Sequence, residues 1–548
     1  MSLIDLLARL REQDIHLRVE DGRLRYSAPG AGLPDGLRAE LTAHKGELIA
    51  LLSAGTATDG PRPVPRRPDA TLPASPVQER LWLLDRMEPG NPSYHMPAAV
   101  RLTGALDAAL LERAVNLIAA RHEVLRTSFE DHGGRPRQRV DAERHIPLVQ
   151  FDLRELPEPE RAAEVARRSE AEAAAPFDLA ADPLLRTTLL RTDDDEHVLL
   201  LTLHHIVADG WSVSVLADEL AAHYRALTEG RPAELPALPV QYGDYAAWHA
   251  EWLESDACAA QLDRWRTRLA GELPDLNLPL DFPRPAVRTF RAGRAERSVP
   301  AATADALNRL AQQTGATRFT VMLAAFKVLL HRLSGQDDLI VGIPEAGRTR
   351  SEIEPLVGFF VNTLALRTDL SGDPAFRDLL GQVRDTAYDA YADRDLPFER
   401  ILIDLQPKRR LDRTPVFQVF FNMVPFAEQR LELPGLSARF LHVPDAGAKF
   451  DLTLYAGLDG RDLTLVHNAD LFTEERAGQL LEQYVALVEQ IAADPDRPVS
   501  AYSLVTDRAR AVLPDPARPL AADWRGGIAE AFAERARTAP ERIAVEEP

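Results

Sequence analysis

His204-His205-Ile206-Val207-Ala208-Asp209-Gly210, running on into Trp211-Ser212, is the stretch that decides how this chain is read. The segment before it, Val198 to Leu203, is apolar except for Thr202, and such a run reads as a buried strand. Asp209-Gly210 reads as a turn. Two imidazoles therefore stand at the end of a core strand, where the backbone can hold a base rigidly beside a cleft. Imidazole titrates near pH 6.5, so it can take up or release a proton at physiological pH. A histidine pair at a strand end also serves as a plain structural feature, and the two residues alone leave both roles open.

The 548 residues exceed one ordinary domain and suggest two to four. The net charge of −20, from 64 Lys+Arg against 84 Asp+Glu, argues against a general nucleic-acid binder. A single cysteine, Cys258, excludes an internal disulfide, suits a reducing compartment and reads as an inert side chain. No run approaches the ~18 apolar residues of a membrane span. The opening MSLIDLLARL lacks a signal leader, so the chain is expected in the cytoplasm and off the membrane. There is no phosphate-cradling glycine loop and no metal-ligand spacing, so neither ATP nor a metal is expected.

Residues 1–52 read as a small module of helix, hairpin, helix, helix. Leu3–Leu10 has helical spacing, and Ile15, Leu17 and Val19 alternate with His16, Arg18 and Glu20. Asp21-Gly22 is a two-residue hairpin turn, Arg23–Tyr26 resumes the alternation, and 34–44 and 45–52 read as short helices. One hairpin face carries His16, Arg18, Arg23 and Arg25. Residues 53–70, with Gly55, Gly60 and then Pro61, Pro63, Pro65 and Pro68, read as a linker. From Thr71 the chain becomes mixed α/β. Leu106–His122 is an amphipathic helix expected to place Leu110, Ala114, Leu117 and Arg121 on one face. Phe319–Leu333 is apolar nearly all round and predicts a buried helix, and Leu339–Gly342 an inner strand.

HHIVADGWS resembles the active-site motif of the condensation domains of nonribosomal peptide synthetases, in the superfamily that includes chloramphenicol acetyltransferase. Six further stretches resemble that family's motifs in order: Ser75–Trp82, Arg121–Phe129, Tyr242–Trp248, Gly342–Arg348, Val357–Thr363 and Asp395–Arg400. Val77 replaces the usual alanine, and Asp393-Arg394 stands where the family often has His-Gln. The N-terminal module resembles docking domains of the tubulysin-synthetase type. Ile528–Glu547 resembles the first helix of an adenylation domain. The resemblance implies an α/β (α+β) fold of two chloramphenicol acetyltransferase-like subdomains in a V-shaped pseudo-dimer, preceded by a small α-β-β-α-α docking domain. The expected boundaries are 1–52 docking, 53–70 linker, 71–275 and 276–505 for the two condensation subdomains, and 506–548 for a linker and the start of adenylation.

The implied reaction is amide formation between two thioesters held on the 4'-phosphopantetheine arms of donor and acceptor carrier proteins, with no tightly bound cofactor. His205 is then the catalytic histidine, as general base or as a group positioning the amine. The Gly210 N–H is a candidate for the oxyanion. Asp209 is expected to pair with an arginine, first Arg348, with Arg121 and Arg126 bracing the active-site floor. His204 is structural. Trp211, Ser212, Trp248 and Asn362 are placed along the substrate tunnel, and Trp248 fits a core role equally well. His16, Arg18, Arg23 and Arg25 would receive the acidic C-terminal tail of an upstream synthetase protein as an added strand. A downstream adenylation domain would follow in cis. Epimerization domains resemble DGVSWR after the aspartate, and heterocyclization domains replace the histidines, so both fit less well. A coenzyme A-dependent acyltransferase and a non-catalytic recruitment platform remain as alternatives.

Overall fold

The computed structural model describes residues 62–66, 72–408, 410–424, 431–441, 447–514 and 526–543, together with Leu41 and the backbone of one N-terminal hairpin. The chain divides into two units, 1–504 and 505–548. In the first, β1 (His16–Glu20) and β2 (Arg23–Ser27) are antiparallel, with Arg18 opposite Arg25 and Glu20 opposite Arg23. That register puts positions 16, 18, 23 and 25 on one face, as the alternation predicts. The helices expected at 3–10, 34–44 and 45–52 lie outside the described residues.

From residue 72 on, the first half of this unit's α/β part contains β3 (Leu72–Pro73), α1 (Pro76–Met87), β4 (His95–Gly104), α2 (Ala108–Arg121), β5 (Thr127–His132), β6 (Arg135–Val140), β7 (Leu148–Asp152), α3 (Glu158–Ala174), β8 (Leu185–Arg191), β9 (Glu196–His204), α4 (Gly210–Thr228), α5 (Tyr242–Trp252) and α6 (Asp256–Arg268). The second half contains β10 (Ala292–Ser298), α7 (Ala301–Thr314), α8 (Arg318–Ser334), β11 (Asp338–Glu345), β12 (Asn362–Asp369), α9 (Phe376–Ala392), α10 (Phe398–Leu405), β13 (Val419–Val424), β14 (Leu436–Leu441), β15 (Leu452–Gly457), β16 (Asp462–Asn468) and α11 (Glu474–Ala493). Each half has its own sheet. The first has strand order β14-β4-β9-β8-β7 and the second β10-β16-β15-β13-β11-β12. The edge strand β14 comes from the second half and pairs with β4, Leu436 opposite Gly104 through Leu441 opposite Ala99. In the second unit α12 (Asp507–Val512) and α13 (Ile528–Thr538) are described.

The buried strand before the histidines is β9, flanked by β4 and β8, with Val198, Leu199, Leu200 and Leu203 all in the core. Its last residue, His204, stands opposite His95 of β4. The all-round apolar helix is α8, where every residue from Thr320 to Leu330 is buried. One of them is Lys327, whose Nζ donates to Leu366 O at 2.7 Å. The amphipathic helix α2 departs from the expected face. Leu111, Ala114, Val115, Ile118 and Ala119 face the core, while Leu117 is exposed. The stripe through Leu110, Leu117 and Arg121 shares only Ala114 with the core. The larger apolar payload lies on the neighbouring stripe, and burial follows area.

Candidate active site

Strand β9 ends at His204, and a 3-10 turn, His205–Val207, carries the chain to Asp209, the N-cap of α4. The two histidines take different tautomers. His204 Nδ1 accepts from Ile206 N at 3.1 Å, so its proton sits on Nε2. His205 Nδ1 lies 3.1 Å from Ala208 O, which can only accept, so here Nδ1 donates and Nε2 is left with a lone pair. Burial, and after it the charge of His95, pushes His204 down to about 3. Burial, reinforced by the Lys449 charge, holds His205 well below the ordinary histidine value. Both are neutral imidazoles at physiological pH. His204 is buried, with its ring near those of His95 and Phe177. His205 is partly accessible and tilts against Phe359 at 5.1 Å.

Asp209 is fully buried and its carboxylate is saturated. Oδ1 accepts from Ser212 N at 2.8 Å and lies 2.7 Å from Ser212 Oγ and 3.2 Å from Arg348 Nη2. Oδ2 accepts from Phe360 N at 3.1 Å. Arg348 also donates to the carbonyls of Ile353 and Leu356 at 2.7 and 2.8 Å, and its guanidinium covers the Phe360 ring at 4.2 Å. The expected Asp209–Arg348 pair is therefore present, and it leaves Asp209 nothing to offer a substrate.

Residues 357–360 of the second half are stitched to the first half by side chains from four places. Val357 N donates to His122 Nδ1 at 3.3 Å, Gly358 N to Ser212 Oγ at 3.0 Å, and Phe360 N to Asp209 Oδ2. Tyr242 Oη donates to Phe359 O at 2.7 Å. Tyr242 also meets Ser75 Oγ at 2.8 Å, and Ser75 and Gln78 form the capping box of α1. Gln78 Nε2 in turn donates to Ile206 O at 3.0 Å. Close approach matters here: a Cβ on Gly358 would run into the Tyr242 ring, and one on Gly347 into Phe360 O. Gly347 also has φ +69°, which glycine adopts without steric cost.

The remaining expected residues divide. Arg121 reaches the site at second hand. Its Nε donates to Glu219 Oε1 at 2.8 Å, and Glu219 Oε2 accepts from His122 Nε2 at 3.0 Å. Arg126 does not brace the site. It donates to the carbonyls of Ala119, Asp141 and Ala142, and so ties down the end of α2. Ser212 is taken up inside the Asp209 network, whereas Asn362 lines a small cavity together with Trp248. Ser212 is fully buried within the Asp209 network. Asn362 is buried, donates to Arg394 O and Leu396 O at 2.8 and 2.7 Å, and accepts from Phe398 N at 3.0 Å. Polar side chains this close to the core are consumed by backbone groups that would otherwise be orphaned. Trp248 is buried beside Tyr245 and His249, on one wall of a small cavity that also includes Asn362 and Asp395. Trp211 is 44% exposed, with Nε1 donating to Glu354 O at 3.1 Å. Gly210 opens α4, and the space where its Cβ would stand is empty. Sequence reasoning missed His122, Glu219, Tyr242 and Lys449 as parts of the site. The first and third lay inside motifs already noted; Glu219 and Lys449 carried no signal. Among the described residues no helix is long and apolar enough to cross a membrane, and no group of three or more His, Cys, Asp or Glu is placed to hold a metal.

Residues 69–513 match the Condensation domain family, and residues 3–53 match the TubC N-terminal docking domain. Phosphinothricin tripeptide synthetase PhsC of Streptomyces viridochromogenes is 41% identical over 525 residues, which is 93% of this chain and 48% of that protein. Chondramide synthase cmdD of Chondromyces crocatus is 39% identical over 489 residues, 88% of this chain and 12% of its own length. This chain thus spans less than half of either synthetase. Among solved structures, the X-domain in its complex with OxyB from teicoplanin biosynthesis is similar with a TM-score of 0.74 at 30% identity, covering 82% of this chain and 99% of the X-domain.

Proposed function

The chain belongs to the condensation-domain family, and from that premise we propose that it joins a donor aminoacyl or peptidyl thioester to the amine of an acceptor aminoacyl thioester in nonribosomal peptide synthesis. Both substrates would arrive on 4'-phosphopantetheine arms of carrier proteins. The observation that carries this reading is the state of His205: neutral, with Nδ1 held by Ala208 O and Nε2 left to accept. Nε2 takes the hydrogen bond of the incoming amine and orients its lone pair at the thioester carbonyl. As the C–N bond forms, the amine nitrogen becomes acidic and its proton passes to Nε2. The C–S bond then breaks, and the proton leaves with the departing thiolate. Gly210 N–H, at the positive end of α4, is the donor we assign to the oxyanion. Asp209, Arg348, Ser212, His122 and Tyr242 act by fixing the two halves around this turn, as positioning residues. Holding two tethered ends together supplies much of the rate.

The boundaries of this reading are 1–52 for docking, 53–70 for the linker, 71–275 and 276–505 for the two subdomains, and 506–548 for the approach to an adenylation domain in cis. His16, Arg18, Arg23 and Arg25 would draw in an acidic tail of an upstream synthetase protein. The hairpin register, which puts positions 16, 18, 23 and 25 on one face, supports this.

A second reading, a condensation-like platform that recruits another enzyme, is favoured by the likeness to the X-domain solved with OxyB. The deciding assay uses purified, loaded donor and acceptor carriers with wild type and His205→Ala, following amide on the acceptor carrier by intact mass. Amide formed by wild type and lost in the variant supports catalysis. Absence of amide over a broad panel, with the fold intact, supports recruitment.

A further inference from the structure

Arg66 lies between the two matched families, which cover residues 3–53 and 69–513. It is nevertheless packed into the first half. Its backbone N donates to Asp244 Oδ1 at 2.9 Å, and its Nη1 to the same oxygen at 3.4 Å. Nη2 donates to Glu123 Oε2 at 2.6 Å. The Arg66 side chain is 19% exposed, against 4% for Asp244 and 25% for Glu123. Earlier in the same segment Pro63 is buried. Leu72 of β3 continues the cover: a Cβ on Gly243 would lie 3.1 Å from Leu72 Cδ2 and 3.5 Å from Arg66 Nη1.

Glu123 and Asp244 belong to the two segments that supply side chains to the stitch. His122, directly before Glu123, accepts from Val357 N. Tyr242, which opens α5 just ahead of Asp244, donates to Phe359 O. Gln241 joins the segments: its Nε2 donates to Arg121 O and its Oε1 accepts from Glu123 N, both at 3.1 Å. Its own N donates to Asp244 Oδ2 at 2.7 Å. Neither carboxylate has a second cation at ion-pair distance among the described residues. Without Arg66, two anions would repel across the junction, and Asp244 would keep an unpaired charge withdrawn from water. The other tie from this segment is weaker. Arg62 Nη1 reaches Glu352 Oε1 at 3.4 Å from a side chain that is 75% exposed, and such a pair adds little.

We propose that Arg66 is a positioning residue: it clamps the segment carrying His122 to the one carrying Tyr242, and so holds residues 357–359 against the first half. Its consequence for amide formation rests on the reaction proposed above. Arginine suits the place because its planar fork meets two carboxylates at once, whereas a lysine ammonium is a compact point charge. Residues 62–66 are thus a packed part of the condensation region and not a free spacer. Arg66 acts through His122 and Tyr242, not on the substrate.

The test follows single amides by hydrogen exchange in the full chain, and amide formation between loaded carriers. Wild type is compared with Arg66→Met, Arg66→Lys and Arg62→Gln. Losing a charge-assisted contact from a part-buried site should speed exchange at Val357 roughly tenfold to a hundredfold in R66M. Exchange within α8 should keep its wild-type rate, because the clamp acts locally. R66K should lie between R66M and wild type, and R62Q within about twofold of wild type. In R66M kcat should fall roughly tenfold with the acceptor-carrier KM within about twofold, as for a misplaced stitch. Val357 exchange within about threefold of wild type in R66M overturns the proposal. So does an equal rise in α8, which would mark a general loss of stability. An unchanged kcat overturns it too; with a raised KM, Arg66 would meet the substrate instead. Should R66M not fold, R66K decides alone: faster exchange at Val357 with α8 unchanged upholds the clamp, and a wild-type rate overturns it. Faster Val357 exchange in R66M, when wild type makes no amide, upholds the clamp and sinks the reaction.

Discussion

Replacing Arg348 with methionine removes a guanidinium whose side chain is 2% exposed and which bonds Asp209, Ser212 and the carbonyls of Ile353 and Leu356. Taking one partner from a buried ion pair costs about 3–5 kcal/mol, because the other charge stays behind. Asp209 keeps the amides of Ser212 and Phe360 and the Ser212 hydroxyl, so the lower end applies. The loss should appear where the halves are stitched. An opening free energy lowered by about 3 kcal/mol raises the exchange of protected amides roughly 150-fold. The amides to follow are Gly358 and Phe360, by hydrogen exchange and mass spectrometry, in wild type, Arg348→Met, Asp209→Asn and the double variant. The pair shares one network, so the double variant should be less than the sum of the singles by about 2 kcal/mol. Amide formation should fall with the stitch in all three. Exchange within about threefold of wild type in R348M, alongside a collapse of amide formation, would refute the reasoning and move Arg348 onto the substrate.

The His205 imidazole, held low by burial, should keep its proton on Nδ1 and stay neutral as the pH falls through 6.5; a midpoint near 6.5 in an NMR titration of labelled histidines would contradict the Ala208 contact. The stability its neutral form contributes is present in full above the unfolded value of about 6.5, and it is lost progressively as pH falls from there to the lower folded value. Lys327, pushed down to about 7 by burial, should make the second half more stable as pH rises from about 7 towards 10.5, because only the unfolded chain then stays protonated. Lys327→Met should raise the melting temperature more at pH 6 than at pH 9, and the opposite order in a scanning fluorimetry series would rule this out. Asn362→Asp should melt below Asn362→Ala, since it turns an oxygen towards the carbonyls of Arg394 and Leu396 in place of a donor. The alanine variant should itself lose about 2–4 kcal/mol, three buried backbone groups losing their partner.

The reading of individual residues held where a pattern was local. The apolar run into His204 is a strand by composition alone, and Asp209-Gly210 marks where the next helix begins. The pairing of β1 with β2 was readable from the alternation of residues alone. It slipped where two patterns overlapped, as on α2. There, apolar residues occupy adjoining stripes, and only packing shows that Leu111, Val115 and Ile118 take the core. It slipped again where a polar residue had two uses. Ser212 looked suited to meet a substrate, yet it is spent on the Asp209 carboxylate and the backbone of Gly358.

The sequence by itself determined the α/β class, the order of the motifs, the histidine at the strand end and the pairing of Asp209 with an arginine from far along the chain. The class and the strand end follow from periodicity and turn chemistry, the pairing from the cost of an unpaired buried charge, and the motif order was legible through its resemblance to the condensation-domain family. Tertiary structure alone decided the tautomers of His204 and His205 and the stitching of residues 357–360 by His122, Ser212, Tyr242 and Asp209. The physical reason is that hydrogen bonds and electrostatic fields act between neighbours in space. For the stitch those neighbours stand more than a hundred residues apart in the chain, where no local pattern can record them.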